Sequence, residues 1–310
     1  MRLTRAASAA LVPRIVLCAI AFSGVATQTR AQDLEPRAYS PSPVGTTFLV
    51  VAASRSAGDV LTDPTLPLED VEARVGVLAL GAGHTFAVAG RQLLVLGALP
   101  ITWVDASGQI GEDRRTAVRR GLGDPRFKLS MILGGSKALT PAEFARTPQR
   151  TIVGASVTVG QPLGQYDRTK LVNLGAHRWS FKPEVGVSRR IDRWTVEGYA
   201  GVWLFTANEE FYTGSSVRRQ DPILALQGHV SYTLPNRSWL AFDGTWYTGG
   251  RSSVDGVDKL DLQRSTRLGA TFSQPLPARQ SIKISYSAGA TTRIGGDFRT
   301  FAVAWQKVWF

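Results

Sequence analysis

The side chains of this chain best placed for chemistry stand two residues apart. His229 and Ser231 share one face of the run 224–233, since successive side chains of a strand alternate sides, and a histidine beside a serine pairs a base with a nucleophile. Hydrolysis also needs a group that orients the histidine. No asparagine follows on that run, Asn236 falling in the turn after it, and Gln227 and Thr233 make the shared face a polar one. A satisfied polar pair is the expected reading, and the chain is not expected to be an enzyme.

A larger set could govern the passage of ions. Arg126, Lys128, Lys182, Glu184, Glu197, Gln227, His229, Asp243, Arg267 and Lys283 each occupy the polar side of an alternating run. A cation turned to lipid at mid-depth costs roughly 2–4 kcal/mol, so these ten are expected to line an interior. There they either select among ions or pair with one another and fill the space. Asp255, Asp258 and Asp261 surround Gly256 but lack the alternate ligands of an EF-hand loop. They read as a solvated acidic loop, or one that meets cation-bridged lipopolysaccharide. The glycines of 76–90 lack the Gly-Lys-Ser/Thr end of a phosphate loop and read as room for close strand packing. No cofactor and no metal is expected.

The elements that carry these residues are strands. In 179–205, Trp179, Phe181, Pro183, Val185 and Val187 alternate with Ser180, Lys182, Glu184, Gly186 and Ser188. After a break at 189–193, Trp194, Val196, Gly198, Ala200, Val202 and Leu204 alternate with Thr195, Glu197, Tyr199, Gly201 and Trp203, which makes a hairpin. Arms of ten or more residues, at about 3.3 Å per residue and a tilt near 45°, cross the roughly 25 Å apolar band of an outer membrane. Further strands are expected at 46–54, 72–88, 91–103, 126–131, 151–160, 224–233, 240–247, 268–272, 282–286 and 298–310, twelve in all with the hairpin. Leu, Val and Gly alternate poorly in 72–88 and 91–103, so their faces are open. Residues 104–124 read as a polar loop, and 134–150 as a connection with a short helical turn near Pro141.

Composition limits the alternatives. Hydrophobic residues make up 44% of the 310-residue chain, yet no run outside the N-terminus is long enough for an apolar spanning helix, which excludes a helical membrane protein. Of the net charge of +12, Arg2, Arg5, Arg14 and Arg30 lie in an acid-free leader, so 12 less 4 leaves +8 scattered over the rest. Without a basic stripe, a nucleic-acid partner is not expected. Residues 1–31 read as a secretory signal, with an apolar centre at 15–25 and cleavage before Gln32. The only cysteine, Cys18, lies inside that signal and follows Leu17, so neither disulfides nor lipid attachment are expected. Residues 32–44, with Pro36, Pro41 and Pro43, read as an extended periplasmic lead-in, far too short to be the plug of an active transporter. The last strand carries Phe301, Val303, Trp305 and Trp309 on one face, interrupted by Lys307, and ends on Phe310. It resembles the signal that delivers outer-membrane barrels to their insertion machinery.

The segments Leu163-Gly164-Gln165-Tyr166-Asp167, Leu171-Val172-Asn173-Leu174-Gly175, Arg178-Trp179-Ser180 and 182–188 resemble the bacterial family named for the meta pathway of phenol degradation. So do Gly121-Leu122-Gly123-Asp124-Pro125-Arg126, Gln220-Asp221-Pro222-Ile223, 247–251, 254–257 and 267–271, which extends the likeness over nearly all of the chain after the leader. The resemblance implies an outer-membrane, porin-like transporter and carries no substrate residues with it.

The expected protein is all-β: a transmembrane antiparallel up-and-down β-barrel of about twelve strands, with short periplasmic turns and longer external loops. It divides into 1–31 signal, 32–44 lead-in and 45–310 barrel, with both termini periplasmic. Its expected role is passive uptake of small hydrophilic or aromatic solutes. The expected partners are outer-membrane lipid, lipopolysaccharide, the solute and the insertion machinery. The alternatives are lipid processing by His229 and Ser231, whose spacing resembles that of the outer-membrane phospholipase, or a structural barrel with a plugged lumen.

Overall fold

Alternating side chains carry most of the chain into strands in the computed structural model, which describes residues 34–62, 69–110, 112–148, 151–212 and 214–310. The expected signal at 1–31 and the turn residues Asp63-Pro64 and Leu66-Pro67 lie outside the described residues. The strands are β1 (Thr47–Leu61), β2 (Glu69–Val88), β3 (Arg91–Ile110), β4 (Asp113–Leu122), β5 (Arg126–Gly134) and, after helix α1 (Pro141–Arg146), β6 (Ile152–Gly160). There follow β7 (Ser180–Ile191), β8 (Trp194–Phe205), β9 (Asn208–Phe211), β10 (Ser216–Gln220), β11 (Ile223–Thr233) and β12 (Trp239–Gly249). The chain ends with β13 (Ser252–Val254), β14 (Val257–Asp258), β15 (Gln263–Leu276), β16 (Gln280–Thr291) and β17 (Gly295–Trp309).

Twelve of these strands close a ring. The order β2-β1-β17-β16-β15-β12-β11-β8-β7-β6-β5-β3 is antiparallel at every step, and the β2–β3 pairing joins its ends. The seam between first and last strands runs from Thr47 opposite Trp309 to Leu61 opposite Gly295. Closure leaves no bare edge, which is the condition for a sheet to cross lipid. Outside the ring, β4 extends β3 as a projecting hairpin, and β9, β10, β13 and β14 form a small second sheet. Residues 104–110 and 113–122, expected as part of a loop, are therefore strand, and the expected loops 208–222 and 249–264 hold the small sheet. Above the bilayer both faces of a hairpin meet water, so the alternation that marks a spanning strand is absent there. The first strand likewise runs on to Leu61, beyond its expected end.

Burial separates the two faces. On β3, Leu94 and Leu96 are buried, whereas Val95, Leu99 and Ile101 are exposed on the outer surface. The same outward belt includes Leu80, Phe127, Val157, Val185, Phe242 and Phe301. Such a continuous apolar girdle has a bilayer as its solvent. On β17, Phe301, Val303 and Trp309 face outward, and Lys307 on that side bends its ammonium to the carbonyl of Ala278 in the rim turn.

One rim carries tight turns at residues 89–90, 192–193 and 277–279. Its exception is the connection 135–151, where Thr140 accepts a hydrogen bond from Glu143 N (3.4 Å) and Glu143 Oε2 accepts one from Thr140 N (2.8 Å), capping α1. Phe144 of α1 is buried, and Val44 N donates to Leu139 O (2.8 Å), so this connection abuts the entry of the N-terminal segment. Residues 34–44, expected as an extended periplasmic lead-in, enter the ring from this rim, with Leu34, Pro36, Tyr39 and Ser42 buried.

Candidate functional site

The lumen is the one space enclosed by the strands that bear the charged residues. All ten polar residues singled out in the sequence project into it. His229 Nδ1 donates to Asp243 Oδ1 (2.7 Å), whose Oδ2 accepts from Thr271 Oγ1 (2.9 Å). Lys182 pairs with Glu184 (2.6 Å), which also accepts from Gln227 Nε2 (3.2 Å). Arg267 donates to Ser287 Oγ (3.0 Å) and Thr300 Oγ1 (2.7 Å). The guanidinium of Arg126 lies 5.8 Å from the ring centre of Trp203, and the ammonium of Lys182 lies 5.7 Å from it. Lys283 borders a cavity beside Ala52, Ser54, Ala79, Ser285 and Ala302.

The N-terminal segment completes this network, and sequence reasoning missed its part in it. Glu35 accepts from Lys128 Nζ (2.7 Å) and so neutralises a buried cation. Arg37 N donates to Glu197 Oε2 (2.7 Å), while its guanidinium donates to Ser231 Oγ (3.1 Å) and Thr233 Oγ1 (2.7 Å) and stacks 4.5 Å over Trp239. Tyr39 Oη donates to Glu184 Oε1 (3.1 Å) and meets Tyr199 edge to face at 5.1 Å. Gly154 and Gly186 make room for that ring: a β carbon on either would stand 2.3 Å from it. Toward the rim, Ser42 N donates to Gln92 Oε1 (2.9 Å). Ser231 is thus occupied by arginine, and His229 by aspartate. The two residues two apart do not form a nucleophile and base.

A second obstruction enters from the opposite rim. The connection 161–179 folds inward, and Leu174 packs on Val75, Val77, Ala79 and Val104 of β2 and β3. Asp124 holds its two ends, accepting from Gly164 N (3.1 Å) and Ala176 N (2.9 Å). Gln165 N donates to Leu122 O (2.8 Å), and a β carbon on Gly121 would stand 1.7 Å from Gln165 Oε1. The two sequence segments 121–126 and 163–175 are therefore one interlocked unit. Arg119 Nε reinforces it by donating to Val172 O (3.2 Å).

Two of the three candidate ligands in the acidic loop are staples instead. Asp261 accepts from Ser252 N (2.7 Å), Asp255 accepts from Val217 N (2.7 Å), and Asp258 belongs to β14. Among the described residues no cluster of three or more histidine, cysteine or carboxylate groups could hold a metal ion.

Residues 54–302 match the family described as "Putative MetA-pathway of phenol degradation". The chain belongs to this family. The crystal structure of the COG4313 outer membrane channel from Pseudomonas putida F1 superposes on this phenol-degradation-family chain with a TM-score of 0.75. The match covers 87% of this chain and 98% of that one at 21% identity. The transport unit of the autotransporter AIDA-I from Escherichia coli gives a TM-score of 0.50 over 86% of this chain and 90% of its own, at 6% identity. At these identities the likeness is one of fold. No curated protein sequence matches the chain.

Proposed function

We propose that this family member is an outer-membrane channel through which small hydrophilic or aromatic solutes pass down their own gradient, with both termini periplasmic and no catalytic step. The observation that carries the reading is a lumen with one charged, hydrogen-bonded wall, whose two obstructions are anchored on different walls and which keeps a cavity beside Lys283. Glu197 Oε1, Trp203 Nε1 and His229 Nε2 are buried on β8 and β11 without a protein hydrogen-bond partner. Such groups are what a permeating polar molecule, or one with an aromatic face, would engage. The engagement of both His229 and Ser231 by other residues argues against lipid processing.

Planar-bilayer recording of the purified barrel tests the proposal. Small discrete current steps are expected. Silence of the wild type and of a variant with the segment 34–44 released would show a structural barrel instead. Orientation is tested separately, with cysteines placed at Gly256 and Asn236. An impermeant thiol reagent on whole cells should label Gly256→Cys alone, and labelling of Asn236→Cys alone would invert the barrel. Purified protein should hydrolyse phospholipid no faster than Ser231→Ala. Activity lost in that variant would restore the enzyme reading.

A further inference from the structure

The outer surface changes character at the upper edge of the apolar girdle, and it does so over one sector. Register aligns Phe301, Arg55, Gly76, Trp103 and Arg120 in a single row across β17, β1, β2, β3 and β4. The next row outward aligns Arg299, Ala57 and Arg74. All four arginines are exposed, while Ser56, Ala73, Val75 and Thr102, their neighbours of opposite parity, are buried toward the lumen. The arginines therefore face away from the channel. Arg74 and Arg299 flank the small Ala57, about 10 Å apart at two strand spacings.

Trp103 fixes the depth of this group. Its indole lies over Gly76, where a β carbon would stand 1.9 Å from the indole nitrogen, so the glycine seats the ring flat between Arg55 and Arg120. Tryptophan at the end of an apolar strand face marks the boundary of hydrocarbon and headgroups. Among the described residues none of the four arginines forms an ion pair, although Asp105 lies across from Arg74. On the opposite wall the row Val202, Leu224, Thr248 and Arg264 carries a single charge.

We propose that this sector of β17, β1, β2, β3 and β4 binds the phosphorylated headgroup of lipopolysaccharide. Guanidinium forks pair bidentately with phosphate oxygens, and an outer leaflet supplies phosphates at the depth where Trp103 places these side chains. The two rows at the girdle edge hold four cations and one acid, and the acids Asp297, Asp59 and Glu72 align only in the row beyond them, so an anion is met by the guanidiniums at the depth of Trp103. The site is separate from the lumen, so it stands or falls independently of conduction.

The test uses the full barrel purified in detergent and native mass spectrometry. The probes are diphosphorylated lipid A, lipid A stripped of phosphate, and phosphatidylglycerol. The wild type should hold the diphosphorylated form at least about ten-fold more tightly than either other lipid. Replacing Arg55, Arg74, Arg120 and Arg299 together by glutamine should abolish that preference, while Arg264→Gln, outside the two rows, should keep it. Heat-modifiable mobility reports folding of each variant, and Arg74→Gln with Arg299→Gln serves if the quadruple change does not fold. Equal retention of dephosphorylated lipid A by the wild type, or undiminished preference in the folded variants, would overturn the proposal. Phosphatidylglycerol held as tightly as lipid A would overturn the assignment to lipopolysaccharide.

Discussion

The two walls of the lumen differ in what they can hold. From β5 through β15 the inner face is charged and hydrogen-bonded, and the N-terminal segment is anchored there by Lys128, Glu197, Ser231 and Glu184. From β17 through β3 the inner face is largely apolar, with Phe48, Val50, Leu94, Leu96, Ala304 and Val308 packed together beside a few buried polar groups such as Gln92 and Thr102. On the upper part of that wall the folded-in connection rests through Leu174. A polar wall fixes an obstruction by directional bonds with defined partners, whereas an apolar wall fixes one only by contact area. The segment should therefore be released by one change of charge. The connection depends on its end clamps at Asp124.

The largest effect is expected from Glu35→Lys, which sets a second cation against Lys128 and removes its neutralising partner. Single-channel current should rise several-fold as the segment leaves the charged wall, and an unchanged current would mean that the segment does not limit flux. Asp124→Ala should act next most strongly. It orphans the amides of Gly164 and Ala176, at about 1–3 kcal/mol for each buried donor left unpaired. Limited proteolysis within 161–179 should accelerate, with a smaller rise in current.

Charge reversal sharpens the contrast between the walls. Lys283→Glu should shift the reversal potential in a salt gradient toward cations more than Lys182→Glu does, because Lys283 borders the cavity. Arg251→Glu in the external loops should do least, being screened within about 8–10 Å at physiological salt. Equal shifts from Lys182 and Lys283 would mean that the charged wall conducts as well.

The smallest effect concerns the external sheet. Asp255 has its carboxyl held below the ordinary 3.8, chiefly by the hydrogen bond it accepts from Val217 N. A depressed acid contributes stability that is complete above its ordinary value and fades as pH falls through the lowered one. Exchange of the Val217 amide should therefore quicken only in acid below the usual carboxylate range, and Asp255→Asn should remove that pH dependence.

These walls also explain what could be read in the sequence. The hairpin of β7 and β8 was legible because lipid and a polar lumen impose opposite chemistry on alternate residues. On β2 and β3 the lumen side is Val75, Val77, Leu94 and Leu96, as apolar as the lipid side, so periodicity had nothing to separate. The positions of β4 and the small sheet were hidden for the converse reason, since water surrounds them. Segment 34–44 has no local signature, because its partners lie far along the chain: 93 residues from Glu35 to Lys128 and 196 from Arg37 to Thr233. The inward fold of 161–179 was hidden in the same way. Its clamp, Asp124, is 40 residues from Gly164.

The β1–β17 seam has a consequence for synthesis. Thr47, near the start of the ring, finds its partner only when Trp309 has been made, so β1 waits with one edge bare through the whole of translation. Closure of so long a span is slow, and an unpaired strand edge recruits other chains. The nascent chain therefore needs a guardian until its last strand arrives. A chain that stops short of β17 would leave β1 and β16 as two sticky borders facing a gap, prone to pair with a neighbouring molecule instead of closing.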